Sequence, residues 1–252
     1  LMCVPAIVFF FVFSYMPMPG AYIAFTNFQY NKGIWNSPFI GLQNFKFLFT
    51  SGQLGLLLRN TILYNLAFIV LGNVLQLLFA ILLNEVQCKA FKKTTQSLMF
   101  LPYFISDVLV SLLVYNLLNY DYGFISNLVR NLGGEMPIVY QMPQAWPFII
   151  VAVNLWKSTG YGTVVYFAAI TSMDSSMMEA AQIDGANGFQ RIRYITLPTL
   201  KPTVVILFLF AIGGILKGNF GLFYNLVGNN SILFNTTDII ETYVYRSMMN
   251  SF

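Results

Sequence analysis

From Asn60 to Asn84 the chain carries no charged residue, and the same holds from Leu1 to Asn31 and from Pro202 to Leu216. Thr94 to Tyr120 carries only Asp107, and Met136 to Met173 only Lys157. An α-helix needs about 20 apolar residues to cross a bilayer's hydrocarbon core. These windows therefore predict five spans, at about residues 1–25, 56–83, 96–118, 146–171 and 199–216. Composition agrees: 57% of the residues are apolar and 9% charged, against roughly a quarter charged in an ordinary soluble domain. So few charges cannot cover a soluble globule. The predicted fold class is all-α, a polytopic bundle of transmembrane helices. Asn, Ser and Gly scattered through the windows suit helices packed against one another.

Basic residues set the orientation. Lys89, Lys92 and Lys93 fall between spans two and three, and Arg191, Arg193 and Lys201 after span four. Cytoplasmic loops collect Lys and Arg, so both segments are assigned inside. Residues 26–55 and 119–145 are assigned outside, the N-terminus inside, and residues 218–252 form an external tail. A chain beginning at Leu1 and ending at Phe252 after an odd number of spans reads as a fragment lacking a short N-terminus and a sixth span. A true five-span protein is the alternative. Span one lacks the charged start and small-residue cleavage site of a signal peptide.

The chemistry of enzymes is sparse. Cys3 and Cys88 are both assigned to the reducing side. There is no His at all, which removes the commonest general base and argues against zinc or haem. No GxxxxGK[ST] loop occurs, so ATP, if consumed, is bound by another subunit.

The second inside loop, Ser172 to Pro202, reads SMDSSMMEAAQIDGANGFQRIRYITLPTLKP. Asp174, Ser175 and Ser176 are candidate caps, and Ser176 with Glu179 has the spacing of a capping box. A short helix is predicted over 176–184, with Gly185 leaving it in a left-handed conformation. A second helix starts at Asn187, with Gln190 three residues on. Pro198 and Pro202 are expected to punctuate the entry into span five.

Glu179-Ala180-Ala181, Asp184-Gly185-Ala186, Ile195 and Leu197-Pro198 resemble the EAA loop of permease subunits from binding-protein-dependent ATP-driven importers, the maltose-type superfamily. Leu58-Arg59-Asn60-Thr61, Leu101-Pro102 and Trp156-Lys157 look like its carbohydrate-uptake branch. Ser14-Tyr15-Met16-Pro17, Gly33-Ile34-Trp35 and the stretch from Asp238 to Arg246 resemble the polysaccharide-type permeases of low-GC Gram-positive bacteria. The resemblance implies one permease domain over 1–252 with the maltose-type importer fold, in the bacterial cell membrane. It implies that Glu179, Ala180, Ala181, Asp184, Gly185, Ala186, Leu197 and Pro198 couple to a cytoplasmic ATPase, the small alanines allowing close approach. The bland reading is that Glu179 and Asp184 only cap and solvate their helices, and that Arg191 and Arg193 only meet lipid headgroups.

Asp107 and Lys157 lie inside spans, where charges mark function by default. Two readings are open: they pair with each other, or both line a polar path. The resemblance implies sugar contacts just after the matching Trp and at a Tyr a few residues on, which fall on Lys157, Ser158 and Tyr161. Lys157 departs from the maltose pattern and points to a ligand with acidic units. Tyr103, Tyr115 and Tyr166 are candidates for stacking on sugar. Gly213-Gly214, Gly218 and Asn219 mark either a helix break beside the path or a close packing point, which places Gly214 and Asn219 among the path candidates.

The expectation is thus a transport subunit rather than an enzyme, carrying no cofactor of its own, with ATP and Mg on the partner. The expected partners are a second permease, two ATPase subunits, an external substrate-binding lipoprotein, membrane lipids and an oligosaccharide, with no nucleic acid. The alternatives are a stand-alone ion- or proton-coupled transporter and a membrane enzyme acting on lipid or glycan.

Overall fold

The computed structural model describes residues 2–250; Leu1 of the first expected span and Ser251 and Phe252 of the expected tail lie outside the described residues. The architecture is helical, with an isolated bridge between Thr26 and Phe39. Contacts divide the chain into two compact units, one ending at Gly55 and one starting at Leu56.

The first unit begins with the helical run α1, Val4–Phe25, which buries no side chain within the chain. It passes through a π-turn at Phe11–Tyr15, where the Met16 N–H reaches back five residues to Phe11 O (2.9 Å). Pro17 follows and has no N–H to offer, so the widened turn delivers the chain to it without an α-helical clash. Two short helices, α2 (Gly33–Asn36) and α3 (Gln43–Thr50), complete the unit. Asn44 ties them to the bridge by donating to Ala24 O and Thr26 O.

The second unit is built on two long helices, α4 (Gln53–Glu85) and α8 (Trp146–Thr171). They run side by side in one direction: Gly72 lies against Leu155, Gln76 against Gly162, and the Tyr166 hydroxyl donates to Asn73 Oδ1 (2.6 Å). Span two extends three residues before and two beyond its expected limits, and span four matches them.

Span three differs from expectation. It starts at Lys89, not Gln96, and breaks into α5 (Lys89–Phe104) and α6 (Asp107–Leu118), bent by 99°. Pro102 interrupts the backbone bonding, Ile105 is extended, and Ser106 restarts the helix by accepting from Leu109 N (3.4 Å). Before the bend α5 runs opposite to α8, with Lys92 over the Phe167 ring and Met99 against Gly160.

After α7 (Phe124–Asn131) and α8 come α9 (Ser175–Ile183) and the continuous run α10 (Gly188–Gly213). Span five therefore starts near Gly188 rather than Thr199 and ends three residues before Leu216. Pro198 does not punctuate its entry, because a second π-turn, Ile192–Thr196, precedes it and the Leu197 N–H bonds Ile192 O, five residues back. Pro202 is carried inside the helix.

Residues 218–250 are no loose tail. They form α11 (Phe220–Val227), α12 (Phe234–Thr237) and α13 (Ile240–Asn250). Leu222, Phe223, Leu226 and Val227 of α11 are buried with Val110 and Val114 of α6, Tyr64 of α4, and Trp146 and Ile150 of α8. Between membrane spans this packing gains by close van der Waals contact rather than by removal from water. Residues near the start of α4 hold the rest: Asn60 Nδ2 donates to Asn235 O and Asp238 O, Tyr64 to Thr236 O, and Thr61 Oγ1 accepts from Ile240 N. A second cluster, Ala80, Tyr166, Ile170 and Leu200, joins α4, α8 and α10.

Candidate substrate path and coupling loop

The bend of span three closes on the middle of α8. A methyl group at Gly160 would overlap the Met99 carbonyl, so only glycine allows the two backbones to meet there. That contact puts Tyr103 over Tyr161, stacked at 4.8 Å and 16°, with Phe100 continuing the stack. One turn along α8 toward its start, Lys157 donates to Asp107 Oδ1 as an ion pair. Of the two readings left open by the sequence, the pair forms. It is not sealed: the two side chains keep 18% and 25% of their surface exposed. Asp107 Oδ2 also sits where a Gly221 Cβ would be, so a side chain at that point of α11 would have to displace the Asp107 carboxylate.

Asn154, Lys157, Ser158 and Tyr161 share one face of α8, three or four residues apart. Asn154 and Ser158 are half-buried. Asn154 is a path candidate that the sequence reading missed, although its position one turn before Lys157 was the signal. Tyr103 and Tyr161 are 44% and 49% exposed, so part of each ring remains open to contact. Tyr115 instead meets Tyr122 and Tyr140 edge-on, and Tyr166 is fully buried in its bond to Asn73, which removes it as a stacking residue.

Gly214 and Asn219 are not brought against Lys157. Gly214 caps the end of α10, and Asn219 caps α11 by accepting from Leu222 N (3.2 Å). The break between them is closed by Asn65, whose Nδ2 donates to Ile215 O (2.9 Å) and Lys217 O (3.3 Å), and by Glu241, which accepts from Phe220 N (3.1 Å). Asn219 is still within a turn of Gly221 and so of Asp107. A cavity of about 660 Å³ opens at the break, lined by Lys217, Asn219, Phe220, Glu241 and Tyr245 among others. Trp156 faces two apolar cavities, about 440 Å³ toward α4 and α5 and about 380 Å³ toward α6.

The candidate coupling loop is held by end-caps. The expected box between Ser176 and Glu179 does not form, because α9 starts earlier: Asp174 is the cap and accepts from Ser176 N (2.9 Å). That hydrogen bond from Ser176 holds the Asp174 carboxyl below its ordinary range. The Ser175 side chain lies outside what the structure describes. At the other end Ala186 N–H bonds Ala181 O (2.9 Å) and Gly185 N–H bonds Gln182 O (3.1 Å), with Gly185 at φ 78°. This is the αL stop in its two-bond form, which glycine makes without steric cost. Asn187 and Gln190 form the reciprocal box (2.9 and 2.8 Å).

Glu179, Ala180 and Asp184 are exposed, as are Gly185 and Pro198, while Ala181, Ala186 and Leu197 are half-exposed. Around them Met177, Ile183, Phe189 and Tyr194 expose apolar surface, Ile183 at 87%. These four were overlooked in the sequence, where apolar residues inside a polar loop were the available signal. Arg193 is exposed, whereas Arg191 buries its Nε without a partner.

Residues 62–249 match the family described as binding-protein-dependent transport system inner membrane component. In Bacillus subtilis strain 168 the chain is similar to the polygalacturonan/rhamnogalacturonan transport system permease protein YteP, 38% identical over 98% of this chain and 76% of that one. It is also similar to LplB of the same organism, 33% identical over 97% of this chain and 76% of that one. Among solved structures, a bacterial ABC transporter that imports the acidic polysaccharide alginate superposes with TM-score 0.89, at 33% identity, over 99% of this chain and 83% of that one. The alginate transporter in complex with an alginate pentasaccharide-bound periplasmic protein superposes with TM-score 0.88, at 32% identity, over 99% and 82%.

Proposed function

The chain belongs to the family of binding-protein-dependent transport system inner membrane components, and on that premise we propose how it works as a multi-pass permease of a sugar importer. Its cargo is an acidic oligosaccharide built from uronic units. The observation that carries this is the placement of Lys157 on a polar face of α8, one turn from the open Tyr103–Tyr161 stack. Sugars present C–H faces that stack on aromatic rings. A cation beside such a platform adds a charge-assisted hydrogen bond to a carboxylate, while Asn154 and Ser158 offer hydrogen bonds to hydroxyls. The relatives whose names carry acidic polysaccharides support the same reading.

The assembly proposed is this permease with a second one, two ATPase subunits that hold ATP and Mg, and an external binding protein. The binding protein delivers the oligosaccharide to the outer loops. ATP binding closes the ATPase pair, and α9 passes that closure into the spans through Glu179, Ala180, Ala181 and the stop at Asp184-Gly185-Ala186. Leu197 and Pro198 take it into α10. The path opens outward, and hydrolysis resets it inward. Gly214 and Asn219 serve the path by letting the backbone turn at the break. The subunit transports and does not catalyse.

The test is uptake by the assembled importer in proteoliposomes. A labelled uronate trisaccharide should be taken up with ATP, and maltotriose should not; Tyr161→Ala should lower uptake of the uronate by about tenfold, as expected for losing one ring's worth of binding. Uptake of maltotriose at the same rate would refute the acidic cargo. A stand-alone ion-coupled transporter predicts uptake by this chain alone, without an ATPase.

A further inference from the structure

Lys157 is offered a passing carboxylate by the reading above, yet it already holds one. We propose that Asp107 is an internal stand-in for the substrate's carboxylate: it neutralises Lys157 while the path is empty, yields it to a uronate carboxylate, and in yielding frees the start of α6 from α8. This rests on the acidic-cargo reading and adds to it a residue that sets specificity without touching sugar.

Four observations lead there. A lysine in mid-span without a partner is strongly disfavoured, so an empty path needs a resident counter-charge. The two side chains keep 18% and 25% of their surface exposed, so the pair is not sealed against an incoming anion. The Asp107 side chain makes no hydrogen bond among the described residues except the one from Lys157, and its other oxygen is packed beside Gly221. A carboxylate held by one partner exchanges more readily than one held by several.

The fourth observation is what release would free. Asp107 is the first residue of α6, just after the Ser106 cap and the 99° bend. At that point the chain has extended backbone at Ile105, and the ion pair is the polar tie from the bend to α8. The freed carboxylate lies beside the first turn of α6, where the N–H groups that the Ser106 cap does not take carry a partial positive charge that can hold it for the time that Lys157 is occupied. Asn154 and Ser158, on the same face as Lys157, have no hydrogen bond among the described residues that substrate would need to break. Cargo charge and the position of the bend are thereby one equilibrium, biased by whichever carboxylate Lys157 holds.

The experiment compares KM and maximal rate of uptake by the assembled importer for trigalacturonate and for its carboxyl-reduced, neutral counterpart. The wild-type complex should prefer the charged form. Asp107→Asn removes the competitor, so KM for trigalacturonate should fall by about tenfold with a lower maximal rate, the scale of a typical coupling between two ligands of one site. KM for the neutral form should stay unchanged. Asp107→Glu should return the KM ratio of the two forms toward wild type, and Asp107→Asn with Lys157→Gln should bring it to one. Asp107→Ser, small enough for the seat against Gly221, is the second variant and must show the same fall. If the wild type prefers the charged form but neither Asp107→Asn nor Asp107→Ser changes the ratio, the exchange is wrong and the acidic cargo stands. If the wild type does not distinguish the two forms, both are wrong.

Discussion

Gly160 shows how much of the site depends on a missing side chain. Its Cβ position is occupied by the Met99 carbonyl, so Gly160→Ala must push α5 away from α8 and with it the Tyr103–Tyr161 stack. Overpacking of this kind costs about 1–3 kcal/mol. The substitution should lower the melting temperature of the purified complex and weaken uptake together. Gly213→Ala is the control: nothing lies within 4 Å of its Cβ position, and it ends a helix in which alanine is favoured over glycine by about 0.5–1 kcal/mol. It should melt at or slightly above wild type, and equal loss from both substitutions would remove the close-approach argument. Asp107 and Lys157 were legible in the sequence because each is the single charge of an apolar window. Their pairing was one of two open readings, and the sequence could not choose between them, since fifty residues separate the two and a hydropathy profile carries no direction. Gly160 was illegible for a related reason: a glycine in an apolar run has the same hydropathy whether it faces lipid or a neighbouring carbonyl.

Whole elements were legible where the chain does not turn. The two long helices α4 and α8 are uninterrupted apolar windows, and their expected limits lie within three residues of those observed. The bent span kept its apolar composition through the bend, so only Pro102 hinted at it. At α10 the opposite happens: Pro198 suggests punctuation at the entry of the span, but a π-turn absorbs it and the helix continues. The end of α10 is a genuine break, and Asn65 satisfies the carbonyls it leaves. Asn65→Leu is therefore expected to destabilise the subunit by about 2 kcal/mol, from unpaired carbonyls of Ile215 and Lys217. Thermal unfolding in detergent should report it. Asn116→Leu, which loses only a bond to its own helix at Leu112, should unfold near the wild-type temperature.

At the scale of the molecule, the question is whether a push on α9 can reach the bend of span three. The loop is rigid at both ends: Asp174 caps its start, the αL stop at Gly185 closes α9, and the Asn187–Gln190 box starts α10. From there α10 is continuous into the membrane, and Leu200 buries it against Tyr166 and Ile170 of α8. The same helix α8 carries Tyr161 and Lys157 about one and a half to three and a half turns away, so a rotation of α8 moves the candidate substrate face and the ion pair together. The sequence made the loop legible through Glu179, Ala180, Ala181 and Gly185, but not this continuity, because Pro198 disguised it. Glu179→Lys reverses the charge at the exposed surface of α9 without touching any buried group. The complex should assemble and hydrolyse ATP near the wild-type rate, while uptake falls by about tenfold or more, the size of a lost coupling between sites. Parallel loss of hydrolysis and uptake would mean that Glu179 serves assembly instead. Wild-type uptake would mean that force enters the spans elsewhere, with the apolar surface of Ile183 and Phe189 as the next place to substitute.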